Sequence, residues 1–401
     1  MFVETITCPR CDTHYSKGKP LHTCSCGSPL LVQYDLNKVK QHLKKETLDI
    51  RKNNLWRYRE LLPLKNEANI VSLGEGMTPL ITLSSIGTEL NIPRLFMKDE
   101  GAIPTGTFKA RGAAVGVSMA KELGIQILAM PTNGTAGTAW SAYCAAAGIK
   151  AVIVMPMETP ITDRKKFIIS GAHIYLVNGL TSDTGQIASR AIMKYGWYDA
   201  STLKEPYRIE GKKTIAFEIV EQLGWIAPDV IIAPAGGGAG IIGVHKGLKE
   251  FMELGLIENK MPRLVAVQSS GCAPIVRAWD DRAEESQFWD NSKTIASDIN
   301  VPKALGDFLV LDALHSTHGC ALAVCDSEIL LNQRLLSMRE NIFACPEGAA
   351  TLAAAAWLRK RDWISPDETV VLLNTGTGLK YSDMATADPP IPAPDEKVLS
   401  L

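Results

Sequence analysis

From about residue 70 onward the chain alternates short apolar runs with longer stretches whose apolar positions recur at helical spacing. The runs Ile125 to Met130, Ala151 to Met155, Ile174 to Val177, Val230 to Ala233, Leu264 to Val267 and Val370 to Leu373 are apolar almost throughout. That is the pattern of parallel strands covered on both faces. Between them, Ala110 to Leu123, Thr135 to Ala147, Asp163 to Ser170, Asp183 to Tyr195 and Lys212 to Leu223 read as helices. The rhythm predicts an α/β fold of parallel sheets flanked by helices. Asn37 to Arg59 is charged and only partly helical in pattern, and reads as a connector. The tail Asp388 to Pro394 is proline-rich and is expected to run extended over the surface.

Composition narrows the class. With 401 residues, 46% of them apolar and 21% charged, the chain can fill more than one core. A net charge of −1 gives no electrostatic reason to expect nucleic acid or an anionic membrane as partner. No apolar run approaches the roughly 20 residues of a membrane span. The stretch from Met1 to Thr7 lacks the basic and apolar regions of a signal peptide. Nine cysteines without an export signal point to a reducing compartment, with cytoplasm the default expectation.

Four of those cysteines crowd the first 26 residues, as Cys8-Pro-Arg-Cys11 and Cys24-Ser-Cys26. Two such pairs a dozen residues apart suit tetrahedral thiolate binding of a structural zinc in a small ribbon. The second pair has one spacer residue where two are usual, which brings in His14 and His22 as substitute ligands. Asp312, His315 and His318 also recur at near-helical spacing, but they read as a polar helix face rather than a metal site.

Three separated motifs carry the chemistry. In Pro104-Thr-Gly-Thr-Phe-Lys-Ala-Arg-Gly112, Phe108 and Lys109 sit where a glycine-containing turn opens a helix. An amine held in a dry, partly cationic site loses proton affinity and can condense with an aldehyde, so Lys109 is a candidate Schiff-base lysine. The second motif, Pro234-Ala-Gly-Gly-Gly-Ala-Gly-Ile-Ile-Gly243, lies between a strand and a helix, the arrangement that presents backbone N–H groups to an anion. It contains G-x-G-x-x-G, yet the next apolar run ends in Gln268 and Ser269 instead of the acid that a dinucleotide ribose requires. The third motif, Val370 to Gly378, is a buried strand ending in hydroxyls and glycines, with Thr375 able to offer a neutral hydroxyl to a heterocyclic nitrogen. Such a partner leaves a pyridine ring a weaker electron sink than a carboxylate would, which favours elimination and replacement over transamination.

Together these motifs resemble the fold-type II pyridoxal-phosphate enzymes, and among them the threonine synthase branch. Trp56 to Pro63, Ser72 to Leu80, Lys98 to Gly101, Tyr207 to Glu218, Phe343 to Ala350 and Asn374 to Lys380 continue the likeness in order. The resemblance implies a zinc-ribbon-like segment over 1–36, a helical connector over 37–69 and a cofactor-binding catalytic region over 70–401. A smaller lobe would be inserted at roughly 95–200. It implies that Lys109 holds pyridoxal phosphate and that Phe108 flanks it. Gly236, Gly237, Gly238, Ala239 and Gly240 would hold the phosphate, and Thr375 would meet the pyridine nitrogen. The loop Thr132 to Gly137, with Thr132 and Gly134, would bind the substrate carboxylate. Family members usually place an Asn in that loop against the cofactor's phenolic oxygen. Here Thr135 stands at that place and Asn133 lies two residues earlier, so either side chain is a candidate. Ile103 and Ala110 also depart from the usual Asn and Asp.

The activity implied is conversion of O-phosphohomoserine, or a related activated amino acid, to threonine and phosphate by γ-elimination and β-addition of water. Relatives that take this substrate carry an Asn-Ser pair where this chain has Thr202 and Leu203, although Arg208 and Lys204 remain to pair with an anion. The triple glycine looks more like the serine/threonine dehydratases. A β-eliminating or β-replacing enzyme is therefore the alternative, and an inactive binding relative the second. Glu347 would lie near the cofactor without an assigned role. A homodimer is the expected assembly.

Overall fold

The computed structural model describes residues 2–132, 134–159, 161–179, 181–258 and 260–384. The proline-rich tail, Asn133 and Met1 lie outside them. The chain begins with three antiparallel strands, β1 (Val3–Thr7), β2 (His14–Tyr15) and β3 (Leu31–Tyr34), in the order β2-β1-β3. Two short helices follow, α1 (Leu36–His42) and α2 (Lys45–Asp49). Asp35 starts α1 by accepting a hydrogen bond from Lys38 N, which satisfies one of the free amides of the first turn.

The chain then enters the larger sheet through β4 (Leu80–Thr82), α3 (Ser84–Glu89) and β5 (Leu95–Asp99). Helix α4 (Lys109–Glu122) carries it out to a second sheet. That sheet is built from β6 (Ile127–Pro131), α5 (Thr135–Ala147), β7 (Lys150–Pro156), α6 (Ile161–Ile169), β8 (His173–Val177), α7 (Thr181–Tyr195) and β9 (Tyr198–Asp199). Its order is β8-β7-β6-β9, and all three pairings are parallel. Helix α8 (Arg208–Gln222) returns to the larger sheet, which is completed by β10 (Val230–Pro234), α9 (Ala239–Glu253), β11 (Arg263–Ser269), α10 (Pro274–Asp280), α11 (Asp307–Ser316), β12 (Cys320–Val324), α12 (Asp326–Glu340), α13 (Pro346–Lys360) and β13 (Val370–Asn374). Its order is β12-β11-β10-β13-β5-β4, parallel except for the edge strand β4.

All six apolar runs lie in strands, with ends shifted by one or two residues, and the five expected helices are present. The strands β4, β5, β9 and β12 lay outside those runs. β4 and β12 are edge strands of mixed burial, and β9 has two residues. Central strands β10 and β13 are buried at every position, as helices on both faces require.

Helices α4 and α8 cross at very short range. A Cβ on Gly211 would stand 2.0 Å from Arg111 O, so only glycine permits this approach. The closeness serves a buried charge network. Arg111, on α4, donates from Nε to Glu100 Oε2 at 2.6 Å and from its two terminal nitrogens to Glu218 Oε1 at 2.5 Å and Oε2 at 2.7 Å. Lys98 of β5 donates to Glu218 Oε2 at 2.7 Å, and the Thr78 hydroxyl donates to Glu100 Oε1 at 2.6 Å. All four charged side chains are inaccessible to solvent. A second network joins the N-terminal strands to the helices. Tyr34 of β3 donates to Glu210 Oε2 at 2.8 Å, and Glu210 pairs with Lys213 at 2.6 Å and Lys246 at 3.1 Å.

Replacing Arg111 by Leu leaves Glu100 and Glu218 buried with Lys98 as their remaining cation. The expected cost is about 3–5 kcal/mol, read as a lower urea midpoint for unfolding; an unchanged midpoint would contradict the role given to this network.

Candidate active site

A cavity of about 280 Å³ opens at the C-terminal ends of the parallel strands. Its wall is built largely from helix beginnings. Lys109 comes from α4, Ala136 from α5, Arg208 and Lys212 from α8, Ala239 and Gly240 from α9, and Glu347 from α13. Pro234 ends β10, and Thr375 follows β13. Convergent helix N-termini give the site a positive field suited to anions, at the position where open α/β sheets bind their ligands. A larger recess of about 790 Å³ lies between Tyr34–Lys40 and the later turns of α9, His245–Glu253, and contains none of these residues.

The glycine loop forms one side. Gly238 has φ +80°, a left-handed conformation that disfavours a side chain. A Cβ on Gly236 would stand 2.5 Å from Asp298 O. Phe108 closes the far end of the loop, its ring 3.2 Å from where a Cβ on Gly240 would lie. Lys109 Nζ is 5.0 Å from the centre of that ring and 3.7 Å from Asp298 Oδ2.

Asp298 is the residue that sequence reasoning missed. Its carboxylate accepts from the Thr135 hydroxyl at 2.6 Å, and its backbone N–H donates to Glu347 Oε1 at 2.9 Å. It lies in a loop without apolar period, so no local signal singles it out. Glu347 also accepts from Tyr381 OH at 3.1 Å, while its other oxygen is buried without a hydrogen-bond partner. Burial, with the nearby Asp298 charge, pushes the Glu347 carboxyl up to about 7. Beside it, Thr375 Oγ1 lies 3.5 Å from Cys345 Sγ, so buried Cys345 packs beneath Thr375.

The cations are placed unequally. Arg208 lines the cavity, but it donates to Glu205 Oε1 at 2.6 Å, to the Thr202 hydroxyl at 3.2 Å and to Ala200 O. Lys204 is not brought there. It pairs with Asp199 at 3.4 Å and lines a separate recess with Arg190 and Ser201. Thr132 also stays off the cavity wall, its hydroxyl accepting from Gly134 N and Gly137 N at 3.2 Å each to shape the start of α5. Asn133, the alternative to Thr135, lies outside the described residues.

The N-terminal cysteines form a second site. The sulfurs of Cys8, Cys11, Cys24 and Cys26 all lie within 4.8 Å of one another, with Cys8–Cys26 and Cys11–Cys24 each at 3.5 Å. Zinc–sulfur bonds of about 2.3 Å in a tetrahedron put sulfurs roughly 3.8 Å apart, so the cluster fits that geometry. His22 packs instead against Tyr198, with ring centres 5.3 Å apart. His315 stacks on Trp279 at 4.4 Å, in keeping with a packed helix face.

Residues 71–376 match the family model described as pyridoxal-phosphate dependent enzyme. The chain belongs to that family. It is 37% identical to a threonine synthase of Methanocaldococcus jannaschii over 379 residues, covering 94% of this chain and 93% of the relative. A threonine synthase of Methanosarcina acetivorans is 33% identical over 94% of this chain and 92% of its own length. Among solved structures, maize serine racemase superposes with a TM-score of 0.66 at 21% identity, covering 77% of this chain and 91% of that one. Tomato (Solanum lycopersicum) threonine deaminase isoform 2 gives 0.67 at 19% identity, over 82% and 91%. These two share the fold. The protein is thus a pyridoxal-phosphate-dependent lyase similar to the threonine synthases. Its cavity fits the cofactor, since a glycine cradle, a lysine and a hydroxyl converge there. The Glu347 oxygen and the buried Thr107 hydroxyl are left without partners.

Because the Glu347 carboxyl titrates near 7 when folded against 4.5 for the ordinary group, the folded state binds the extra proton between those values. The Glu347 contribution to the stability of the cofactor-free chain should therefore fall as pH rises from about 4.5 to 7 and then level off, while buried His245, pushed down to about 4, contributes the opposite slope. The difference in stability between wild type and Glu347→Gln, from denaturant titrations at stepped pH, should therefore shrink over that window.

Proposed function

We propose that this enzyme converts O-phosphohomoserine to threonine and phosphate. The observation that carries the reading is the near full-length similarity to threonine synthases at 37% and 33% identity. Bound pyridoxal phosphate supplies an electron sink for negative charge formed at the substrate's Cα. Lys109 would hold it, and the Lys109 amine would take the substrate's Cα proton as general base. The first turn of α9, with Gly236 to Gly240, holds the phosphate, and the Thr375 hydroxyl meets the pyridine nitrogen. Thr135 bonds the phenolic oxygen. Its hydroxyl already donates to an anionic oxygen, that of Asp298. The Thr132 to Gly137 loop takes the substrate carboxylate at the start of α5. The setting is a reducing cytoplasm, in keeping with nine cysteines that are all free, and the assembly is a homodimer.

One observation favours a second reading, elimination or replacement at Cβ. Arg208 spends its donors on protein oxygens and Lys204 faces elsewhere, so the two cations assigned to a substrate phosphate do not converge on the cavity.

Product analysis by NMR separates the readings. Threonine with free phosphate from O-phosphohomoserine is the expected result. Unreacted substrate, together with a keto acid from serine or threonine, would overturn it in favour of Cβ chemistry. Lys109→Ala should lower turnover by at least about 10²–10⁴-fold and abolish the covalently held chromophore. We further infer that the four cysteines hold a structural zinc. Metal analysis should give one zinc per chain, lost in Cys24→Ser, with a lower unfolding temperature and little change in the turnover of the folded enzyme.

A further inference from the structure

We propose that Lys212 is the cation that neutralises the cofactor's phosphate, a role the sequence motifs leave to the glycine loop alone. The inference rests on the cofactor placement given above. Lys212 is 3% exposed, and its ammonium makes one hydrogen bond, to Phe108 O at 2.5 Å, with no ion pair among the described residues. Its neighbour Lys213 is equally buried, yet is met by both Glu210 at 2.6 Å and Glu250 at 2.8 Å. One lysine of the pair is therefore neutralised within the protein and the other is not. A buried ammonium without a counter-ion is costly, and such groups are kept where an anion arrives to meet them.

Geometry identifies the anion. The Lys212 stem lies on the first turns of α9, its Cβ 2.6 Å from where a Cβ on Gly243 would stand. Its ammonium stands 3.0 Å from the centre of the Phe108 ring, whose edge abuts Gly240 at the end of the glycine loop. The same residue lines the cavity with Gly236 to Gly240. Each other cation lining the cavity is already matched, Lys109 facing Asp298, Arg208 facing Glu205 and Lys303 facing Asp307. Burial, reinforced by the Lys109 charge, holds the Lys212 ammonium well below its usual proton affinity, as expected of a cation awaiting its partner. The phenyl face holds it in place until then.

The test compares two ligands on the full chain freed of cofactor. Dissociation constants for pyridoxal 5′-phosphate and for pyridoxal, which lacks the phosphate, are measured by absorbance titration for wild type, Lys212→Gln and Lys212→Arg. Lys212→Gln should weaken pyridoxal 5′-phosphate on the order of 100-fold while leaving pyridoxal unchanged, and Lys212→Arg should restore much of the difference. The cofactor-free Lys212→Gln protein should also unfold at a higher temperature than wild type, since it no longer buries an unpaired charge. Equal weakening of both ligands would make Lys212 a structural residue and overturn the proposal. Unaltered cofactor affinity with a raised KM for O-phosphohomoserine would assign Lys212 to the substrate phosphate and also overturn it. Wild type that shows no preference for the phosphorylated ligand would instead remove the underlying placement of the cofactor, and the proposal with it.

Discussion

Lys109 is held in place by a buried arginine two residues further along its helix. Arg111 satisfies two carboxylates from separate elements, Glu100 after β5 and Glu218 on α8, while Lys98 binds Glu218 from the strand. Charges taken so far from water must be matched almost atom for atom. The network therefore tolerates little rotation or sliding of α4 against α8, and that fixes where Lys109 points. Hydrophobic packing alone would specify the register less sharply, because α4 offers mainly alanine and glycine to the contact.

The cavity above this network is electrostatically unfinished. Helix beginnings and the four cations Lys109, Arg208, Lys212 and Lys303 face it, against the carboxylates of Asp298 and Glu347. Asp298 lies between Lys109 and the Thr135 hydroxyl, and Glu347 is pushed toward its neutral form by burial and by Asp298 itself. The arrangement favours an incoming dianion over added acid from the protein. It also links the glycine loop to the loop carrying Asp298, because Gly236 can approach the Asp298 carbonyl only without a side chain.

Most of the architecture was legible from apolar periodicity, since buried parallel strands such as β10 and β13 announce themselves by continuous apolar runs. Edge strands did not, as Cys320–Val324 exposes one position and relies on small residues. The motif residues Lys109, Gly236 to Gly240 and Thr375 do meet in one cavity, because each stands at the end of a strand or the start of a helix. Lys204 read equally well on the sequence and lies elsewhere. Spacing along a loop does not say which way its side chains turn. The pair Lys212 and Lys213 carries no sequence signal of burial. Only the close packing of α8 between α4 and α9, signalled by Gly211, Gly243 and Gly247, turns both inward.

The bond from Tyr34 to Glu210 ties the N-terminal strands to the helices around the cavity, apart from anything the cysteines hold. Val3, Ile6, Cys8 and Val32 share one continuous core with α8 and α9, and the tyrosine caps a carboxylate on the helix that also bears Arg208 and Lys212. The cysteine segment is thus not a detachable module. Trimming it away, or grafting it from a relative that lacks the tyrosine, would strip a wall from the shared core and leave Glu210 without its tyrosine donor.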